Sequence, residues 1–219
     1  MMSIFSIFDP MNSSFFSLNW LMMMIPILFL MNNYWLIFSR WSMLLMKMFL
    51  FINNELNIIL KMKIFKIKFV SIFFMITLIN FMGLFSFVFT SSSHMTMNFS
   101  LALTFWVSFM LMGWIFNFNH MLAHQVPLGT PNILMPFMVL IELISNLIRP
   151  GTLSIRLTAN MIAGHLLLTL ISNNGNKLMF LFSAILILMQ TLLMMLELSV
   201  AFIQAYVFMI LLSLYSQEI

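Results

Sequence analysis

Apolar residues run through this chain in long blocks, and the few polar positions inside them set the element boundaries. The first block covers 18–38, a length that fits the ~20 residues a membrane helix needs. Pro26 and Asn32–Asn33 interrupt it, and Trp20, Trp35 and Trp41 sit near its ends, where interfacial aromatics belong. Residues 43–60 are apolar but broken by Lys47, Asn53, Asn54, Glu55 and Asn57. Lys47, Asn54 and Lys61 are seven apart and so share one helix face. That pattern predicts an amphipathic helix lying in the membrane interface, with a further full span as the competing reading. Two spans are predicted within 69–118, at 69–89 and 99–118, joined by the polar stretch Thr90-Ser91-Ser92-Ser93-His94. A loop rich in turn formers follows, with Pro127, Gly129 and Pro131. Two overlong runs, 133–171 and 177–215, complete the chain, separated by Ser172-Asn173-Asn174-Gly175-Asn176. Each is nearly twice the length of an upright span. Pro150 offers the first a bend, so the pair reads as a hairpin of long, tilted helices.

The expected fold class is therefore an all-α integral membrane protein forming one domain over 1–219. It has about three upright transmembrane helices, one interfacial amphipathic helix and the C-terminal tilted hairpin. Composition agrees: 63% of the residues are apolar and 6% charged, against about 25% charged in soluble domains. The net charge of +4 is no nucleic-acid signal, because most basic residues lie in one loop. Arg40, Lys47, Lys61, Lys63, Lys66 and Lys68 all fall between the first and second spans, opposed only by Glu55. The positive-inside rule puts that loop on the cytoplasm-equivalent side. The N-terminus is then outside and the C-terminus inside. The 26 Met and 26 Phe, with abundant Ile and Asn, fit an A/T-rich organellar gene in which AUA also encodes Met. The inner side is then the mitochondrial matrix. Met1 to Pro10 holds no basic residue, unlike an Arg-rich import peptide.

The polar residues within the hairpin carry the candidate chemistry. An arginine at membrane depth costs roughly 2.5–3.5 kcal/mol on insertion scales, so Arg156 demands a reason. Seven residues turn a helix about 700°, so Glu142, Arg149 and Arg156 form one stripe, and Glu197, Gln204, Leu211 and Glu218 another. An antiparallel register that sets Arg156 opposite Gln204 also sets Glu142 opposite Glu218, and His165 close to Glu197. Three polar layers result: an inner pair of carboxylates, an arginine level, and an outer imidazole with a carboxylate. Imidazole and carboxylate can pass protons; arginine stays protonated. Two proton-passing layers separated by a fixed charge read as two half-channels with a barrier. His165 is nine residues from Arg156, half a turn away, so a straight helix turns it to the opposite side.

Other polar residues have plainer readings. Glu142 and Glu218 also suit interfacial charges near helix ends, and Arg149 beside Pro150 suits a snorkelling or structural role. Asn160 and Gln204 suit interhelical hydrogen bonding. His94, His120 and His124 fall in loops and read as solvated. His120 and His124 are four apart, but no further ligands accompany them, so no metal is expected. Disulfides and thiolate metal sites are excluded, since the chain has no cysteine. No phosphate-cradling glycine loop or cofactor motif occurs. A self-contained ion-coupled transporter would carry internal repeats. A structural or quinone-linked subunit of a respiratory complex would carry a cofactor pocket. These are the alternatives.

Leu122-Ala123-His124, Pro127, Gly129-Thr130-Pro131, Ile141-Glu142, Arg149-Pro150 and above all the run from Arg156 to His165 resemble subunit a (subunit 6) of the mitochondrial F-type ATP synthase. The run from Leu196 to Phe208 and Ser213-Leu214-Tyr215 are similar to that family's last helix. The resemblance is specific from about residue 120 onward. It implies a proton-translocating stator subunit with no nucleotide site or cofactor of its own, which drives rotation coupled to ATP synthesis elsewhere in the complex. In that reading Arg156 faces a ring of c subunits, each with a membrane carboxylate. His165 and Glu197 line the half-channel from the intermembrane space, Glu142 and Glu218 line the matrix half-channel, and Asn160 and Gln204 are polar neighbours of the arginine. The implied partners are the c-ring, other Fo stator subunits such as subunit b and a subunit 8 type, protons and lipid. The implied location is the mitochondrial inner membrane. The C-terminal acid here, Glu218 in Ser216-Gln217-Glu218, departs from what mitochondrial relatives often have at this place.

Overall fold

At membrane depth a backbone satisfies its N–H and C=O groups within its own segment, so long apolar runs fold as helices. The computed structural model follows that rule, and no strand occurs among the described residues. These are 8–11, 17–24, 39–60, 63–85, 88–126, 131, 134–175 and 180–218, with backbone only at 63, 64, 174, 180, 181 and 218. The helices are α1 (Arg40–Ile59), α2 (Lys63–Gly83), α3 (Met95–Phe116), the short α4 (Phe118–His124), α5 (Met135–Gly175) and α6 (Phe180–Glu218). Short 3₁₀ turns occupy Leu18–Met24 and Ser91–Ser93. Four stretches are long and apolar enough to cross a membrane: Phe65–Gly83, Met95–Phe116, Met135–Asn173 and Phe182–Gln217. The chain is thus an all-α membrane protein. Of the predicted first span, Leu18–Met24 forms a 3₁₀ turn, and residues 25–38 lie outside the described residues.

Helix α1 starts where Ser39 accepts a hydrogen bond from the Ser42 N–H at 3.3 Å, an N-cap interaction. It buries Ile52 and Leu56 and turns Lys47 and Asn54 to the exposed side. Its length of 20 residues would span a bilayer, yet its polar stripe keeps it out of the four spanning stretches, as an interfacial helix requires. Lys66, buried near the start of α2, donates to Asn57 Oδ1 at 2.7 Å. One residue of the basic cluster therefore ties α1 to α2.

Helix α2 stops at Gly83, before its apolar run does, and the chain turns back into the protein. Thr90, Ser91, Ser92 and Ser93 are all buried, whereas the sequence pattern suggests an exposed connector. Internal bonding makes burial affordable. Thr90 Oγ1 donates to Ser93 Oγ at 3.0 Å, Ser93 Oγ donates to the Thr90 carbonyl at 2.6 Å, and Asn98 Nδ2 donates to the Ser92 carbonyl at 2.7 Å. The turn packs against α5 and α3.

Helices α5 and α6 hold 41 and 39 residues, about 60 Å each at 1.5 Å per residue. That is twice a ~30 Å hydrocarbon core, so both must lie at a steep tilt. Helix α5 is continuous through Pro150. The two helices pack together, α2 lies along α6, and α3 lies along α5. The core gathers Phe69 and Phe73 of α2, Leu153 and Leu157 of α5, and Phe208 and Met209 of α6.

Candidate functional site

The long hairpin helices place every candidate residue. On α5 the buried side holds Leu153, Ser154, Leu157, Thr158, Met161 and His165, spaced by three and four residues as one helix face requires. Arg156 is exposed on the other side, with Thr152, Ala159 and Ala163 also exposed. Asn160 is half-buried at the edge of that side. The half-turn between Arg156 and His165 expected from spacing is therefore present: the guanidinium faces away from the protein and the imidazole faces into it.

Glu197 of α6 joins His165 on the inside. Both are buried, at 8% and 7% exposure, although charged residues are almost never fully buried unless paired. Glu197 approaches α5 at Gly164. A Cβ at that position would stand 2.6 Å from Glu197 Oε1, 2.8 Å from its Cδ and 3.1 Å from its Cγ. The Glu197 carboxylate thus lies in the space that a side chain at residue 164, the neighbour of His165 in the chain, would fill. The imidazole faces the Gly83 backbone at the end of α2, and its ring and that of Phe8 stand edge to face with centroids 6.4 Å apart. His165 Nε2 and both Glu197 carboxylate oxygens are buried without a hydrogen-bond partner among the described residues. Buried polar atoms are nearly always bonded to protein or water, so these three are the unsatisfied groups that a reading of the site has to explain.

The hairpin register matches the pairing expected from the sequence at this level. At the apex, Gly175 packs on Leu186, and toward the other end Arg149 lies over the Tyr215 ring at 5.2 Å. Gln204 is half-buried one helical repeat from Glu197. Helix α6 extends through Glu218, but the Glu218 side chain lies outside the described residues, as does any Glu142–Glu218 contact.

Glu142 pairs with Arg149. Their side chains meet at 3.5 Å and are 34% and 30% exposed, the one ion pair among the described residues. Together with Asn146, Tyr215, His124 and Gln125 they line a cavity of about 40 Å³, room for a water molecule or two. Arg149, read from sequence as a snorkelling or structural residue, is the partner of Glu142. Spacing of seven held that signal, but nothing in it separated Arg149 from Arg156.

For Gly164, a glycine beside a membrane histidine in a chain with six glycines is the visible cue. His94 reads from the sequence as solvated. It is half-buried, with its Nε2 3.0 Å from the Phe8 carbonyl and its ring packed against Trp20 and Phe89. His120 and His124 are exposed as expected, but they lie on the short helix α4 rather than in a loop.

A profile of the family described as ATP synthase A chain matches residues 14–217. The chain belongs to the ATP synthase A chain family. Over its full length it is 53% identical to ATP synthase subunit a of Locusta migratoria, covering 99% of that protein. It is 50% identical to the subunit a of Artemia franciscana, covering all of it, and 49% identical to that of Drosophila melanogaster, covering 99%. Family membership spans the N-terminal half as well, where the sequence resemblance rested on span order alone. As a member of the ATP synthase A chain family, this multi-pass protein has its buried acid–imidazole pair and its outward arginine on the two longest helices.

Proposed function

We propose that this chain is the proton-translocating stator subunit of a mitochondrial Fo sector, with two offset half-channels that pass protons to and from carboxylates on a ring of c subunits. One observation carries the reading: Arg156 is exposed on a stripe of small residues while His165 and Glu197 are buried together on the opposite side of α5. An arginine turned outward at membrane depth needs a partner from another chain, and Thr152, Ala159 and Ala163 leave room for a helix to come close.

A proton enters from the intermembrane space through Glu197 and His165 and neutralises a ring carboxylate. The neutral carboxyl can face lipid, where a carboxylate would be costly. The ring turns until that group reaches the matrix half-channel, where it releases its proton toward Glu142 and Glu218. Arg156 attracts the resulting anion and blocks direct passage between the half-channels, with Asn160 and Gln204 as polar neighbours. Glu197 approaches α5 at Gly164, next to His165 in the chain, and Gln204 follows one repeat along α6. The driving force is about 2.3 kcal/mol per charge per 100 mV, plus the pH gradient. The chain binds no nucleotide itself; torque on the ring drives synthesis in the rest of the complex. Subunit b and a subunit of the subunit 8 type are its further stator partners. The protein sits in the inner membrane, with its N-terminus toward the intermembrane space and its C-terminus toward the matrix.

Arg156→Ala tests this. Assembled complex carrying it should make no ATP in energised vesicles. Normal synthesis by that variant would remove Arg156 from the barrier.

A further inference from the structure

Four buried side-chain polar atoms have no hydrogen-bond partner among the described residues. Three are His165 Nε2 and the two Glu197 oxygens; the fourth is Ser92 Oγ. Ser92 sits at the centre of the buried Ser91–Ser93 turn, which packs on α5, the helix of His165. Two other hydroxyls of the segment and the Ser92 carbonyl are bonded internally. Thr90 and Ser93 bond each other, and Asn98 takes the Ser92 carbonyl. The same turn reaches the group that His165 faces: a Cβ on Gly83 would stand 3.5 Å from Thr90 Cγ2, and the imidazole faces the Gly83 backbone. His94, which ends the turn, lies 3.0 Å from the Phe8 carbonyl, and the rings of Phe8 and His165 stand edge to face.

We propose that Ser92 is a water-positioning residue of the outer half-channel, its hydroxyl holding the water that passes protons to His165 and Glu197. This rests on the half-channel reading above. A hydroxyl suits the task because it donates and accepts at once. A buried hydroxyl with no protein partner is satisfied at low cost by water that has further polar partners, which the imidazole nitrogen and the carboxylate supply. The serine turn, packed on the helix of His165, offers such water a polar wall.

The test uses the assembled complex in liposomes and compares Ser92→Val with Ser92→Thr, which match in shape and differ in the hydroxyl. Ser92→Val should slow voltage-driven proton uptake roughly tenfold, as the loss of one hydrogen bond from a buried network would. Ser92→Thr should restore most of that loss. Equal rates for the two variants would overturn the proposal. Because the chain has no cysteine, Ser92→Cys adds a single thiol to it. A small water-soluble thiol reagent applied from the outer side should modify that thiol, as it modifies Met95→Cys at an exposed control position. Modification at residue 95 but not at 92 would also overturn the proposal. Glu197→Gln, measured in parallel, separates the two levels. If it slows uptake while the Ser92 variants match each other, the half-channel stands without Ser92. If it leaves uptake unchanged, the outer half-channel itself is wrong.

Discussion

A side chain at residue 164 would occupy the space now filled by the Glu197 carboxylate, and the displaced atoms are the mobile end of a flexible residue. Gly164→Ala should therefore leave the fold intact and move the acid away from His165. Misplacing a reacting group by about 1 Å can cost up to 10²-fold, so proton uptake by vesicles holding this variant should fall by roughly tenfold or more, with the amount of assembled complex unchanged. The two arginines differ in what they leave behind. Arg149 and Glu142 are each about one-third exposed, and such pairs contribute roughly 0–1 kcal/mol. Arg149→Gln should thus barely move the thermal unfolding midpoint of the purified complex, and a large drop would mean that the contact with Tyr215 matters more than the ion pair. Both arginines sit in one seven-residue series in the sequence. Only their surroundings distinguish an arginine bound within its own chain from one turned outward.

Among the elements, α1 is the one whose attachment can be loosened alone. Its Leu56 is 0% exposed and packs toward α2 and α6, whereas Trp41 on the same helix is 77% exposed. Leu56→Ala should cost about 2–5 kcal/mol of local packing. Hydrogen exchange across Arg40–Ile59 should speed up accordingly, while Trp41→Ala should leave it unchanged. The polar stripe of α1 was legible from seven-residue spacing, because amphipathicity is a local pattern. The turn after α2 was not. Four consecutive hydroxyl residues read as a solvated connector, and their burial depends on partners they find only when folded: each other, Asn98, and the flank of α5. The same holds for His94, whose neighbours Phe8 and Trp20 are far away in sequence.

At the scale of the whole molecule, α5 and α6 are covered by α2 and α3 along one side and open along the other. The open side of α5 presents small residues around Arg156. Ala163 is exposed there, so the chain itself can accommodate a larger side chain. Ala163→Trp should insert and fold normally yet lose coupled ATP synthesis, since a bulky ring would keep a partner helix from approaching. Recovery of the variant chain from membranes at normal levels, with ATP synthesis measured in the same vesicles, checks this. Retained synthesis would mean that the ring does not pass over this stripe.

The membrane class, the helical fold, the overlong hairpin and its register all followed from the sequence, because they depend on hydrophobic length and on a repeat of 3.6 residues per turn, both properties of neighbours along the chain. The half-turn between Arg156 and His165 followed in the same way. Tertiary structure alone decided which side of α5 is covered, and hence that the arginine looks outward while the histidine looks in. It also decided that Glu197 fits over Gly164, that Glu142 is held by Arg149, and that Ser92 is buried in a turn packed on α5. The Glu142–Arg149 pair lies within α5, seven residues apart; the others join segments distant in sequence and are set by how helices pack rather than by any local periodicity.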